Sequence, residues 1–163
     1  MEFKAHEISD RIKIDYKYSF GGQSRFFLEL KDNKKLYGTK CTKCGYVWMP
    51  PRTHCSKCYV PTEWIPLKDT GTIMVSTIVW YGAAEFIKNV PYGVGYIKLD
   101  GADTSIFQGI FSENLVPSKI KQGSRVRAVF LKQREGKAKD FFFVPEEEYI
   151  SWINKPEYEG GSE

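Results

Sequence analysis

Four cysteines fall within eighteen residues of one another in "KCTKCGYVWMPPRTHCSKCYVP" (40–61), and thiols are the side chains here best able to do chemistry. Cys41 and Cys44 form one C-x2-C pair, Cys55 and Cys58 a second, with ten residues between them. Each pair can close a tight knuckle that aims two sulfurs at one ion, and Gly45 supplies the permissive backbone such a turn asks for. Two knuckles make a closed tetrahedral S4 site. A disulfide framework suits a secreted chain, and nothing in the sequence marks this one for secretion. A thioredoxin-type redox motif uses one pair and not two. The expectation is therefore a metal site with zinc as the default and iron in a rubredoxin-like site as the alternative. Because a closed S4 site has no open coordination position, the ion is expected to be structural, contributing on the order of 10 kcal/mol to folding. His54 adjoins Cys55 but is not needed as a ligand, so it is read as a surface residue.

The elements around the cysteines follow from patterning. Between the knuckles, Val47, Trp48 and Met49 are read as hydrophobic cover, while Pro50 and Pro51 keep the chain extended. Ahead of them, "SRFFLELKDNKKLYG" places Phe26, Phe27, Leu30 and Leu36 on one helical face, with Ser24 as start signal and Gly38 as stop. Residues 1–20 are too charged to assign. From residue 70 the pattern becomes that of strands: 71–82, 93–100, 104–112, 124–132 and 140–145 are β-branched or aromatic runs bounded by Gly, Pro, Asp and Asn. "ENLVPSKIKQG" between the third and fourth reads as a short helical connector, and "REGKAKD" as a turn. Five short strands with a longer insert after the third suit an OB-fold barrel, with Gly93, Gly95 and Gly109 at its sharp bends. "EEEYISWI" reads as a short helix with Tyr149, Ile150 and Ile153 against the barrel. The fold class is thus mainly β with a short N-terminal helix, and the expected division is a helical lead (1–37), a zinc ribbon (38–66), the OB-fold (67–148) and a tail (149–163).

Composition bounds the function. The chain has 163 residues, 42% hydrophobic and 15% aromatic, enough for a compact core, and carries a net charge of +4. The charged start and the lack of any run near the roughly 20 apolar residues of a membrane span give the expectation of a soluble, cytoplasmic protein. The positive charge is spread out, and the last stretch is acidic.

In its order of parts the chain resembles the zinc-ribbon/OB-fold family found beside thiolases and related acyl-CoA enzymes in archaea and bacteria. The likeness runs over about residues 16–145, through "YGTKCTKCG", "MPPRTHC", "GTIMVSTIVWYG" and "PYGVGYIKLDGA". The resemblance implies a rubredoxin-like ribbon with structural zinc. It further implies an accessory protein without catalysis of its own, bridging an acetoacetyl-CoA thiolase and a hydroxymethylglutaryl-CoA (HMG-CoA) synthase or related acyl-CoA enzymes. The residues agree: acyl transfer needs an activated thiol, all four cysteines are committed to metal, and His6 and His54 are the only imidazoles. If a CoA thioester touches this chain, Phe86, Lys88 and Tyr92 in "YGAAEFIKNVPYG" and Arg52 in "PPR" are the candidate contacts, cations for phosphate and rings for the pantetheine arm. For Arg52 and Lys88 the competing roles are packing and solvation. A second class is single-stranded nucleic-acid binding, since ribbons and OB-folds both do this and Trp80, Tyr96, Phe107 and Phe111 lie on or beside the barrel strands. Dispersed charge, the acidic tail and the tendency of strand aromatics to be core weigh against it.

Overall fold

The structure is a computed structural model, and it describes residues 6–10, 13–81 and 90–161. A helix, α1 (Ser24–Asn33), precedes a three-stranded antiparallel sheet of β1 (Leu36–Cys41), β2 (Val47–Trp48) and β3 (Thr62–Leu67) in the order β2-β1-β3. The helix stops earlier than its pattern suggests. Lys34 turns left-handed at φ 53°, and Leu36 and Gly38 leave for β1, where pairing to β3 outweighs helical continuation. Gly38 is a residue of close approach and not a cap, since a Cβ there would stand 2.8 Å from the Trp48 carbonyl. Ser24 does not cap through its side chain either; its hydroxyl donates to the Gly21 carbonyl in the preceding 3-10 turn.

Five further strands close a barrel: β4 (Thr70–Val79), β5 (Tyr92–Leu99), β6 (Ile106–Ile110), β7 (Arg125–Leu131) and β8 (Phe141–Pro145). They run β4-β5-β6-β8-β7, and β7 returns to β4 through Thr70–Arg127, Gly71–Val126 and Thr72–Arg125. This is the five-stranded OB-fold that the run of short strands predicts. The seam is short: β6 and β8 are parallel and meet at Ile110 and Phe143 alone. A bulge between Ile73 and Val75 bends β4 into the closure. Gly93 and Gly95 point inward, where a Cβ would meet the Ile110 carbonyl at 2.8 Å and the Val75 carbonyl at 2.5 Å, so the strands could not close with larger residues. Residues 113–123 form turns and no helix; Pro117 and the ties of Ser112 and Glu113 to Glu148 fix them otherwise. A short helix, α2 (Tyr149–Ile153), and a two-residue strand, β9 (Tyr158–Glu159), complete the chain. Tyr149 and Trp152 are the buried residues of α2, and Ile150, expected inward, faces solvent.

One core joins these parts. Phe26 and Leu30 of α1 and Val47 and Met49 of the ribbon pack with Ile73, Ile97, Ile110, Phe130 and Phe143 of the barrel. The contact is also stitched by polar bonds, because the Val47 N–H donates to Asp103 Oδ2 (2.8 Å) and the Asp103 N–H to the Val47 carbonyl (2.9 Å). Among the described residues no helix is long and apolar enough to cross a membrane.

Candidate metal centre and barrel groove

The two knuckles repeat one backbone pattern. In the first, the Cys41 N–H donates to the Tyr46 carbonyl (2.9 Å) and the Gly45 N–H to the Cys41 carbonyl (3.0 Å). In the second, the Cys55 N–H donates to the Val60 carbonyl (2.9 Å) and the Tyr59 N–H to the Cys55 carbonyl (2.8 Å). The residue after each pair turns left-handed, Gly45 at φ 73° and Tyr59 at φ 56°. At Gly45 this conformation is free of cost; at Tyr59 an ordinary side chain adopts it under strain. β1 delivers Cys41, and Cys55 is buried beneath Trp48, partly covered by Tyr46 and Val60.

The sulfurs of Cys41, Cys44, Cys55 and Cys58 all lie within 4.8 Å of one another, and those of Cys44 and Cys55 are 3.9 Å apart. Ligands at about 2.3 Å around a tetrahedral zinc stand about 3.8 Å apart, so the donor set is of the right size and chemistry for that ion. The amide N–H groups of Lys43 and Cys44 each approach the Cys41 sulfur at 3.4 Å. They are the main reason its thiol is held below the ordinary range, Cys44 first and against the opposing pull of burial. Burial pushes the Cys55 thiol up most, but the amides of Lys57 and Cys58 and the neighbouring sulfurs bring it down to about 6. Cys58 is pushed up to about 12, chiefly by its hydrogen bond with Cys44 and by burial. Four thiols this close cannot all ionise against one another without a cation among them. His54 is exposed, its Nδ1 3.3 Å from the Thr53 hydroxyl.

The insert between the knuckles is fixed by Thr39, a buried residue of β1. Its hydroxyl donates to the Arg52 carbonyl and accepts from the Arg52 N–H, both at 2.9 Å. The Arg52 guanidinium lies over the Trp48 ring, 4.7 Å from its centroid. The side chain is exposed at the rim of a hollow formed with Phe20, Gln23, Pro50 and Pro51.

Tyr92 belongs to a different place. It is half-buried on the outer face of β5, stacked on Phe111 at 6.0 Å, and lines a groove of about 430 Å³ with Val94, Phe107, Phe142, Tyr158 and Lys139. The groove lies along the short β6–β8 seam, with Gly109 leaving its floor open. Arg52 and Tyr92 therefore sit in separate hollows. Phe86 and Lys88 lie outside the described residues. Tyr92, Phe107 and Phe111 are candidates from sequence, whereas Lys139, Phe142 and Tyr158 are not, because they come from the 3-10 turn before β8, β8 and β9 and only barrel closure brings them to the groove. Tyr96 and Phe107, candidates for base stacking for which a core position was the competing role, are exposed on the barrel's outer face with rings 5.2 Å apart, and Trp80 is exposed as well. The inward positions beside Tyr96 are taken by Gly95 and Ile97.

A four-cysteine ribbon packed on a closed five-stranded barrel defines a zinc-ribbon/OB-fold protein. Residues 29–62 match the family model of the ChsH2 rubredoxin-like zinc ribbon domain, and residues 64–131 that of the ChsH2 C-terminal OB-fold domain. Two curated relatives align with the chain over 113 residues. One, a DUF35 domain-containing scaffold protein of Methanocaldococcus jannaschii, is 29% identical, covering 68% of this chain and 78% of the relative. The other, from Methanothermobacter thermautotrophicus and described in the same words, is 28% identical, covering 68% and 83%. Among solved structures, a DUF35-family protein of unknown function from Sulfolobus solfataricus superposes with a TM-score of 0.58 at 20% identity, over 77% of this chain and 87% of that one. The Ltp2-ChsH2(DUF35) aldolase gives 0.58 at 19%, over 79% and 98%. At those identities the structures speak for the fold. The chain carries both ChsH2-type domains, a zinc ribbon followed by an OB-fold, and belongs to the zinc-ribbon/OB-fold proteins of that type.

Proposed function

We propose that this protein is a non-catalytic accessory or scaffold of acyl-CoA metabolism, with Cys41, Cys44, Cys55 and Cys58 holding a structural zinc. The observation that carries the reading is that the thiols a thioester enzyme would use are drawn into one closed S4 cluster, in a chain whose relatives are named scaffold proteins. The solved neighbour described as the Ltp2-ChsH2(DUF35) aldolase supports partnership with an enzyme. Within this reading the partners are an acetoacetyl-CoA thiolase and an HMG-CoA synthase, or related acyl-CoA enzymes, and the protein works in the cytoplasm.

The CoA thioester rests in the seam groove, whose size and apolar, aromatic lining suit a pantetheine arm. Tyr92 flanks the arm and Lys139, paired with Glu135 at 3.3 Å, faces phosphate, while Arg52 in its separate hollow takes no part in this groove. Titration with CoA followed by calorimetry tests this. Tyr92→Ala and Lys139→Ala each weaken binding about tenfold if the groove is the site, a loss of about 1.4 kcal/mol; unchanged affinity in both removes the groove from the account.

The exposed Tyr96–Phe107 pair favours a second reading, single-stranded nucleic-acid binding by base stacking on the barrel. Affinity for oligo(dT) that falls steeply with salt and is lost in Phe107→Ala supports it. Absence of oligo(dT) binding at low salt rejects it.

A further inference from the structure

From Lys13 to Phe20 the chain alternates strictly, with Ile14, Tyr16, Tyr18 and Phe20 apolar and Lys13, Asp15, Lys17 and Ser19 polar. That is the pattern of a strand with one covered face. Yet among the described residues 13–20 joins no sheet, and Ile14, Tyr16 and Tyr18 are 61%, 78% and 71% exposed. Among the described residues the ring contacts of the arm are at its end, where Tyr18 meets the edge of Phe20 (5.4 Å) and Phe20 stacks on Phe27 of α1 (3.7 Å).

The order of charges in the arm selects what pairs with it. Laid antiparallel on a second copy with Tyr16 opposite Tyr16, the segment places Asp15 opposite Lys17 twice on the polar face and Ile14 opposite Tyr18 twice on the apolar face. Sliding the register by one pair in either direction sets Asp15 against Asp15 or Lys17 against Lys17, and a parallel in-register pairing does both. Centring the ladder on Ile14 instead sets Lys13 against Asp15 twice but also Arg11 against Lys17 twice. Since opposite charges directly across a ladder stabilise it and like charges oppose it, the Tyr16 register is favoured. The arrangement is two-fold and closes on itself. A two-stranded ribbon is marginal in water without a surface beneath it. Here the Tyr18, Phe20 and Phe27 rings continue the apolar face onto α1 of each copy.

We propose that the arm is an assembly strand, through which two copies of this chain associate by an antiparallel ladder centred on Tyr16. Sedimentation velocity of the full chain across the micromolar to several-hundred-micromolar range reads the equilibrium. Asp15→Lys alone and Lys17→Asp alone each turn two attractive pairs into two repulsive ones, and the dimer dissociation constant rises at least about tenfold. An equimolar mixture of the two variants restores a dimer, because each supplies the charges the other lacks, and the double variant D15K/K17D dimerises like the parent. Since Asp15 and Lys17 are exposed, all four proteins fold, as circular dichroism will record. A parent chain that stays monomeric throughout, including one that captures a different protein with its arm, overturns the proposal. So does a dimer indifferent to both single substitutions, or a mixture that stays monomeric.

Discussion

Replacing Gly45 by alanine isolates one backbone conformation from everything else in the ribbon. A Cβ at this position has only the Cε of Lys40 near it, at 3.8 Å, so no packing is disturbed. What changes is the cost of holding φ 73° with an L side chain, about 1–2 kcal/mol, partly offset by the reduced freedom of the unfolded alanine chain, about 0.5–1 kcal/mol. The net is about 1 kcal/mol against the folded knuckle, and because metal binding and knuckle folding are linked, zinc retention should weaken about fivefold. Tyr59→Gly is the mirror experiment. The second knuckle carries the same turn at φ 56°, the Tyr59 ring is almost fully exposed, and its removal relieves strain without losing burial, so retention should strengthen by up to a similar factor. Competition against a chromophoric chelator measures both. Equal retention in Gly45→Ala and the parent, or weaker retention in Tyr59→Gly, would refute the reasoning that backbone handedness limits the site.

Cys44→Ser should leave the protein metal-poor by elemental analysis, and because ribbon and barrel share one core it should lower the midpoint of a single thermal transition; two separate transitions would show that the ribbon unfolds alone. Asp140 is fully buried and its Oδ2 accepts the N–H groups of Glu135, Gly136 and Lys137 at 2.8, 2.6 and 2.9 Å. Asp140→Ala strands three donors and should cost about 3 kcal/mol in urea unfolding. The Arg125 guanidinium, helped by the Thr70 hydroxyl, holds Asp100 at about 2, below its ordinary 3.8. Its contribution is therefore present in full above about pH 4 and is lost as pH falls toward 2. Both partners are over a third exposed, which limits the effect to under about 1 kcal/mol; the urea midpoints of Asp100→Asn and the parent should differ slightly at neutral pH and converge by pH 2.

The paired cysteines are local in sequence, and so was the knuckle geometry they dictate. The barrel strands were legible for a related reason: Gly, Pro and Asp bound each β-branched run, and inward glycines such as Gly95 mark where strands meet closely. What sequence did not show depends on contacts made at a distance. Leu36 completes the helical pattern of α1, but pairing with Leu67 draws it into β1. Tyr96 and Phe107 are hydrophobic by type, yet the alternation of β5 and β6 turns them outward together. Lys139, Phe142 and Tyr158 reach the groove only because the seam between β6 and β8 is so short. The alternation in Lys13–Phe20 is plain once charge is set aside, and its high charge concealed it.

The central claim, service to acyl-CoA enzymes without catalysis, is tested most directly by purifying the tagged protein from its native source at moderate salt with nuclease present, then identifying and quantifying what accompanies it by mass spectrometry. The account predicts a thiolase, synthase or other acyl-CoA enzyme in stoichiometric amount, retained through nuclease treatment. Ribosomal, polymerase or repair proteins that disappear with nuclease would contradict it and make the exposed Tyr96–Phe107 face a nucleic-acid platform.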